Sequence, residues 1–210
     1  MKGLFGYNGP IFNVLSRITD ILWLNVLYII CCIPIITIGA ATTSLYYVTM
    51  KMAKNEEGYV AQDFFKSFKQ NFKQSTCIWA IFLVVIIMLT GDIRIIGSNS
   101  ISALFSGGSI YAILIAGGFI GLISLFTFVY VFAVLARFEN TALNIIKYAF
   151  LMSIKHIPHT LLMILISALP FVLIYVNGKL SFILIVAFSL VAYTNSFILN
   201  RIFISYEAAE

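Results

Sequence analysis

Five stretches without a single Asp, Glu, Lys or Arg govern what this chain can fold into: residues 21–50, 74–91, 95–136, 160–178 and 180–200. Each reaches the ~18 residues that point to a membrane-spanning helix. A soluble domain carries roughly a quarter charged residues, whereas this chain has 10% charged and 61% hydrophobic residues. The pattern therefore predicts an all-α integral membrane protein, one polytopic domain over residues 1–210. The N-terminal apolar run exceeds the ~7–15 residues of a signal-peptide core and no small-x-small cleavage site follows it, so it is expected to stay as an anchor.

The first run is too long to cross once. Its 30 residues would make a helix of roughly 45 Å at 1.5 Å per residue, against a hydrocarbon core of ~30 Å. Pro34 and Gly39 lie inside it, where a missing backbone donor and a flexible position let the chain turn. The expectation is two antiparallel pieces, 14–33 and 36–53, with Arg17 and Lys51 reaching the same surface; a tight re-entrant hairpin satisfies the same pattern. The second piece holds Ala40, Ala41, Thr42, Thr43 and Ser44, small residues that permit close helix approach and whose hydroxyls can bond backbone carbonyls.

Further spans are expected at 75–91, 110–136, 160–176 and 180–200, about six in all. A loop rich in turn formers, Gly97 to Ser109, separates the third from the fourth. With the N-terminus inside, only Arg94 and Lys179 of the 13 basic residues fall outside, as the positive-inside rule requires. Both termini are then cytoplasmic and the location is the cell membrane. A five-span reading would strand Lys2 and Arg17 on the outer side.

One or two cytoplasmic amphipathic helices complete the architecture. Over residues 60–73, Phe64, Phe68 and Phe72 share one helical face, while Lys66, Lys69 and Lys73 share the opposite one. Such a helix is expected along the inner membrane surface, phenylalanines in the acyl boundary and lysines toward anionic headgroups or a partner. A second segment, 140–159, also leads into a span. The two align at an offset of 86, with Phe64 over Phe150, Ser67 over Ser153 and Lys69 over Lys155, three matches of the kind an old internal duplication would leave.

Chemistry-bearing motifs are sparse. No ionisable residue sits mid-span, where one would mark a proton or ion pathway. His156 and His159 have Pro158 between them and no third ligand nearby in sequence. Cys31, Cys32 and Cys77 are an odd set without metal or redox spacing, expected as buried membrane residues. The pattern contains no phosphate loop, nucleophile elbow or HExxH, and the basic residues flank spans instead of forming an aromatic-interleaved nucleic-acid patch. The chain is accordingly expected to be no enzyme, to hold no cofactor or metal, and to bind no nucleic acid. Asn25, Thr194, Asn195, Ser196 and Asn200 are expected to hydrogen-bond between helices, with a polar pathway as the alternative. Gly117 and Gly121 form a GxxxG suited to helix packing, either within the bundle or at a dimer seam.

Several stretches resemble the YesL-like family of bacterial membrane proteins, whose function is unknown. They are the run Pro34 to Thr43, then Glu56-Glu57-Gly58-Tyr59, then Asp63 to Lys73, then Arg137-Phe138-Glu139-Asn140-Thr141. Members of that family commonly sit in genomes beside ABC-type sugar importers and polysaccharide-degrading enzymes. The resemblance thus implies an accessory or regulatory component of carbohydrate uptake, with ABC importer subunits as partners beside the lipid bilayer. The alternative is a transporter or facilitator for a small solute in its own right.

Overall fold

A computed structural model describes the backbone of residues 10–56, 58–96 and 107–207, and the side chains of 14–56, 58–91, 112–179 and 182–206. The described residues form seven α-helices: α1 (Pro10–Cys32), α2 (Ile38–Ala53), α3 (Val60–Ile96), α4 (Gly107–Arg137), α5 (Ala142–Lys155), α6 (Ile157–Val176) and α7 (Leu184–Glu207). Two 3-10 turns, Ile35–Thr37 and Gly178–Ile183, lead into α2 and α7. No strand occurs among the described residues, so the all-α membrane class holds. Five helices (α1, α3, α4, α6, α7) are long and apolar enough to cross a membrane. The expected sixth, α2, is a helix of 16 residues.

The break in the first run falls where Pro34 forces it. Pro34 is extended (φ −76°, ψ 121°), and the Thr37 hydroxyl closes the turn onto the carbonyls of Cys31 (2.6 Å) and Pro34 (2.7 Å). Gly39 lies inside α2 and does not make the turn. At the other end of the hairpin, Arg17 donates to Met52 O (2.9 Å) and Asn55 Oδ1 (3.0 Å). The start of α1 and the end of α2 therefore meet at one surface, as the antiparallel reading requires. Asn55 has φ 57°, a left-handed conformation that Asn tolerates better than most residues.

Cross-helix contacts fix the directions. Thr49 meets Ser196 and Met50 meets Asn200, so α2 and α7 run the same way. Arg17 meets Tyr193 and Asn25 meets Ser189, so α1 opposes them. Gly39 faces Ser75 and Lys51 pairs with Asp63, making α3 antiparallel to α2; Phe82 with Phe128, and Gly121 with Leu89, do the same for α3 and α4. Ser167 with Asn195 and Phe171 with Phe188 set α6 against α7. Helices α1, α2, α3, α4, α6 and α7 therefore alternate in direction along the chain, and five of them are long and apolar enough to cross a membrane.

The segment at 60–73 is not a helix of its own. It is the first third of one unbroken 37-residue helix, α3, roughly 55 Å long. Residues 60–73 are therefore continuous with the apolar stretch that follows them, and the whole of Val60–Gly91 belongs to a helix long and apolar enough to cross a membrane. Phe64 is fully buried in a cluster with Leu24, Leu27, Leu45, Val48 and Ala192, and Phe68 packs on the same cluster. Only Phe72 of the three stays exposed, at 37%. The hydrophobic stripe is real, and packing in the cluster formed with α1 and α2 uses much of it.

The second amphipathic segment behaves differently. α5 is separate from α6, broken at His156, whose φ −116° and ψ 43° are non-helical. Ile145, Ala149, Met152 and Ser153 face inward, while Leu143, Leu151 and Ile154 are exposed. Thr160 knits the joint: its hydroxyl lies 2.8 Å from Ser153 O and 3.2 Å from the Tyr130 hydroxyl. The positions aligned at an offset of 86 share their environments in part, with Ser67 and Ser153 both buried and Lys69 and Lys155 both exposed. Where α5 breaks at His156, however, α3 continues through Gln70. Of the cysteines, Cys31 and Cys32 are half-buried within the protein and Cys77 is exposed on it, all three on helices long and apolar enough to cross a membrane. The loop reading at 97–106 and the side chains of Asp92 and Arg94 lie outside the described residues.

Candidate functional site: the polar seam around the second helix

α2 is the axis of the bundle, and its polar residues are why it can be. Four hydroxyls turn back onto their own helix: Thr42 to Ile38 O (2.7 Å), Thr43 to Gly39 O (2.9 Å), Ser44 to Ala40 O (2.8 Å) and Thr49 to Leu45 O (2.9 Å). The hydroxyl residues of the helix are therefore internally satisfied, which suits burial in a bundle without water.

On one side, Gly39 lets α3 come in. A β-carbon placed there would lie 2.6 Å from Ser75 O and 2.8 Å from Trp79 Cβ, distances no real side chain tolerates. Just beyond, the Trp79 indole donates to Ile35 O at 2.8 Å, a carbonyl of the 3-10 turn. The tightest approach of two helices at any described glycine is this one, at Gly39. At Gly121 an added methyl would meet only Leu89 Cδ1, at 3.5 Å, an ordinary contact; Gly117 is half-buried. The signal was present in the sequence as Gly39-Ala40-Ala41 followed by hydroxyl residues, a small-residue run longer than GxxxG.

On the other side runs the seam with α7. The Thr49 and Ser196 hydroxyls are 2.8 Å apart, and Asn200 Nδ2 donates to Met50 O at 3.1 Å. The Tyr46 hydroxyl faces the side chain of Asn195, whose Nδ2 donates to Ser167 Oγ of α6 at 3.2 Å. Tyr46 packs against both hydrophobic clusters of the core. Asn25 does related work from α1: it donates to the carbonyls of Leu184 (3.0 Å) and Ile185 (2.5 Å) and accepts from Ser189 N–H (2.9 Å). Its amide thus mimics a peptide group inserted into the first turns of α7. Asn25, Asn195, Ser196 and Asn200 all bond between helices as expected. Thr194 does not; it is exposed and bonds to Leu190 O in its own helix.

Two buried atoms of the seam, Asn195 Oδ1 and Asn200 Oδ1, have no hydrogen-bond partner, a costly state in a dry interior. At the end of the bundle where α3 starts, Lys51 Nζ and Asp63 Oδ2 pair at 2.6 Å, and Gly58 leaves no room for a side chain against that carboxylate. Beyond this pair, Lys66, Lys69 and Lys73 project outward, exposed along one face of α3.

Residues 21–93 match a family model described as Protein of unknown function, DUF624. The matched segment contains Asn25, the Pro34 turn, all of α2, the Gly39–Ser75–Trp79 contact and the Lys51–Asp63 pair, together with Lys66, Lys69 and Lys73. No curated protein and no solved structure matches the chain. The DUF624-like segment is thus the α1–α2–α3 half of the bundle, and the seam is where α7, from outside the matched residues, docks onto it.

Chemically the seam binds helices together through neutral groups. A separate group of titratable side chains lies at the α5–α6 joint, where the His156 and His159 rings are 6.0 Å apart and Tyr206 Oη lies 3.4 Å from His156 Nε2. Lys155 Nζ sits 4.9 Å from the Tyr206 ring centroid. Burial, with His159 and Lys155 alongside, holds the His156 imidazole below its ordinary pKa. Among the described residues no three His, Cys, Asp or Glu side chains are grouped as a metal site would need. Arg17 was read as an interfacial charge; its bonds to α2 and to the Tyr193 hydroxyl (3.1 Å) make it a three-helix clasp, a pairing that no local spacing encodes.

Proposed function

We propose that this chain is a non-catalytic accessory or regulatory membrane subunit, standing in the cell membrane with its basic end in the cytoplasm and working beside an ABC-type carbohydrate importer. The observation that carries the reading is the locking of α2 on both faces, by Gly39 against α3 and by the Thr49–Ser196 and Met50–Asn200 contacts against α7. Alternating access needs one group of helices to rock against another around a central site. Here the two candidate halves share a wedged central helix, which favours a rigid scaffold. The exposed Lys66, Lys69 and Lys73 offer a basic face to an acidic partner or to anionic headgroups. The choice of a sugar importer rests on the likeness of the Pro34–Thr43 and Asp63–Lys73 stretches to YesL-like membrane proteins.

A second reading, a facilitator for a small solute, is favoured by one feature: the unpartnered Asn195 and Asn200 carbonyl oxygens on the seam. The experiment is a mild-detergent pull-down from cells grown on a complex polysaccharide, with sugar uptake measured in a deletion strain. Recovery of an importer permease or its ATPase together with altered uptake supports the accessory role. Purified protein that alone moves sugar into liposomes overturns it in favour of the facilitator.

A further inference from the structure

Beyond the wedge at Gly39, α3 continues past Trp79 with α4 alongside it, and the two helices do not close on each other. The cleft between them encloses about 250 Å³. Its base is aromatic and held in place: Phe82 and Phe128 meet edge to face at 5.3 Å, Phe128 lies 6.2 Å from Trp79, and Trp79 is tied to Ile35 O. Its hollow comes from α4, where Gly121 and Ser124 oppose larger α3 side chains. Its rim, Ile86 and Leu125, is exposed at 46% and 47%.

We propose that this cleft is a binding groove for a single lipid acyl chain. Both walls belong to helices long and apolar enough to cross a membrane, and the rim is continuous with exposed Ile87 and Leu122, the surface such helices turn toward lipid. Of the lining side chains only Ser124 carries a hydroxyl, so ordered water, which needs two to four polar partners, finds too few. A flexible hydrocarbon chain is thin enough, and it restores the dispersion contacts that an empty hollow forfeits. The inference is independent of the accessory reading.

The chain has two tryptophans, Trp23 and Trp79, so Trp23→Phe leaves Trp79 as sole fluorophore. The full-length variant is reconstituted in phosphatidylcholine vesicles whose acyl chains carry bromine at mid-length, a quencher that acts on contact. Although Trp79 is only 9% exposed, a chain in the groove should lower its emission about twofold relative to unbrominated lipid, because the indole forms part of the groove wall. Adding Gly121→Leu, which fills the hollow, should restore the emission. Ser124→Leu does the same from the neighbouring position and serves if the first variant fails to fold. Gly118→Leu, at a position with nothing within 4 Å, should leave the quenching unchanged. Absence of quenching, or quenching untouched by both filling variants, overturns the proposal. So does emission that ignores bromine but follows the protein-to-lipid ratio, since a second copy would then cover the cleft.

Discussion

Replacing Gly39 by alanine tests the packing on which the bundle depends. The new methyl would start 2.6 Å from Ser75 O and 2.8 Å from Trp79 Cβ, and both obstacles belong to one rigid helix with no flexible end to move aside. Ordinary contact for such atoms begins near 3.4 Å, so α2 and α3 must separate by several tenths of an ångström along their whole interface. Overpacking of this kind costs about 1–3 kcal/mol. The same shift stretches the 2.8 Å bond from the Trp79 indole to Ile35 O, forfeiting a further ~1 kcal/mol. The expected loss is therefore about 2–4 kcal/mol, read as a lower unfolding midpoint in detergent, followed by size-exclusion chromatography after a heating series. Gly121→Ala is the matched control, since its methyl meets only Leu89 Cδ1 at 3.5 Å and should be neutral or slightly stabilising. If Gly39→Ala is as stable as the parent, or if Gly121→Ala is the more damaging of the two, the wedge is not where the bundle is held.

Asn25→Leu, similar in volume, should destabilise by about 1–3 kcal/mol through three lost hydrogen bonds and should speed amide exchange at Ser189 first; unchanged exchange there would rule out the insertion into α7. Phe64→Ala should cost about 3–5 kcal/mol as a core truncation while Phe72→Ala costs little, and equal effects would return the helix to the membrane surface. As pH falls through the depressed pKa of His156, the unfolded chain binds the proton first, so stability should drop between neutral and mildly acidic pH; His156→Gln should flatten that slope, and an unaltered slope would assign it to another group. Topology reporters fused after Lys54 or Asn140 should be silent as periplasm-type fusions and one after Asn177 active, with activity at Lys54 overturning the hairpin.

What the sequence made legible was whatever depends on charge and length. Charge-free runs located every long helix, and Pro34 marked the one turn inside an apolar run because its missing donor breaks the helix whatever surrounds it. The seam was visible as polar residues in spans, since Asn195, Ser196 and Asn200 have few uses in lipid other than bonding another helix. What could not be read was which partner each residue meets. Gly39 looked like a hinge because flexibility and smallness are the same residue in sequence; only the position of Ser75 O makes it a wedge. Phe64 and Lys66 likewise give one amphipathic pattern whether the apolar face meets acyl chains or Leu45 and Val48. The continuity of α3 decides between them, and continuity across Lys73 and Gln74 has no local signal, because those residues are as compatible with a helix interior as with a helix end.

The expectation that α2 is a sixth crossing turns on the same distinction between lipid and protein as a surrounding medium. Its 16 residues rise ~24 Å, and the three residues of the preceding 3-10 turn add ~6 Å, which together match a hydrocarbon core of ~30 Å. A lipid-facing helix would need a nearly continuous apolar surface over that rise. α2 has Thr42, Thr43, Ser44 and Thr49 instead, and its burial explains why this is stable: nine of its residues, from Gly39 to Met50, are buried in the protein, and each of those four hydroxyls is satisfied by a carbonyl one turn back. Hydropathy measures fitness for lipid, so it underrates a helix that meets almost none. The lysine that ends it, Lys51, is paired with Asp63 at the end of the bundle where Arg17 also binds, so the helix runs from the Pro34 turn to a charged surface. Exchanging Thr43 and Ser44 for leucine would therefore raise the hydropathy of α2 and lower the stability of the protein, because the added bulk has no room in the packed core around it. A gain in stability would mean that α2 faces lipid after all.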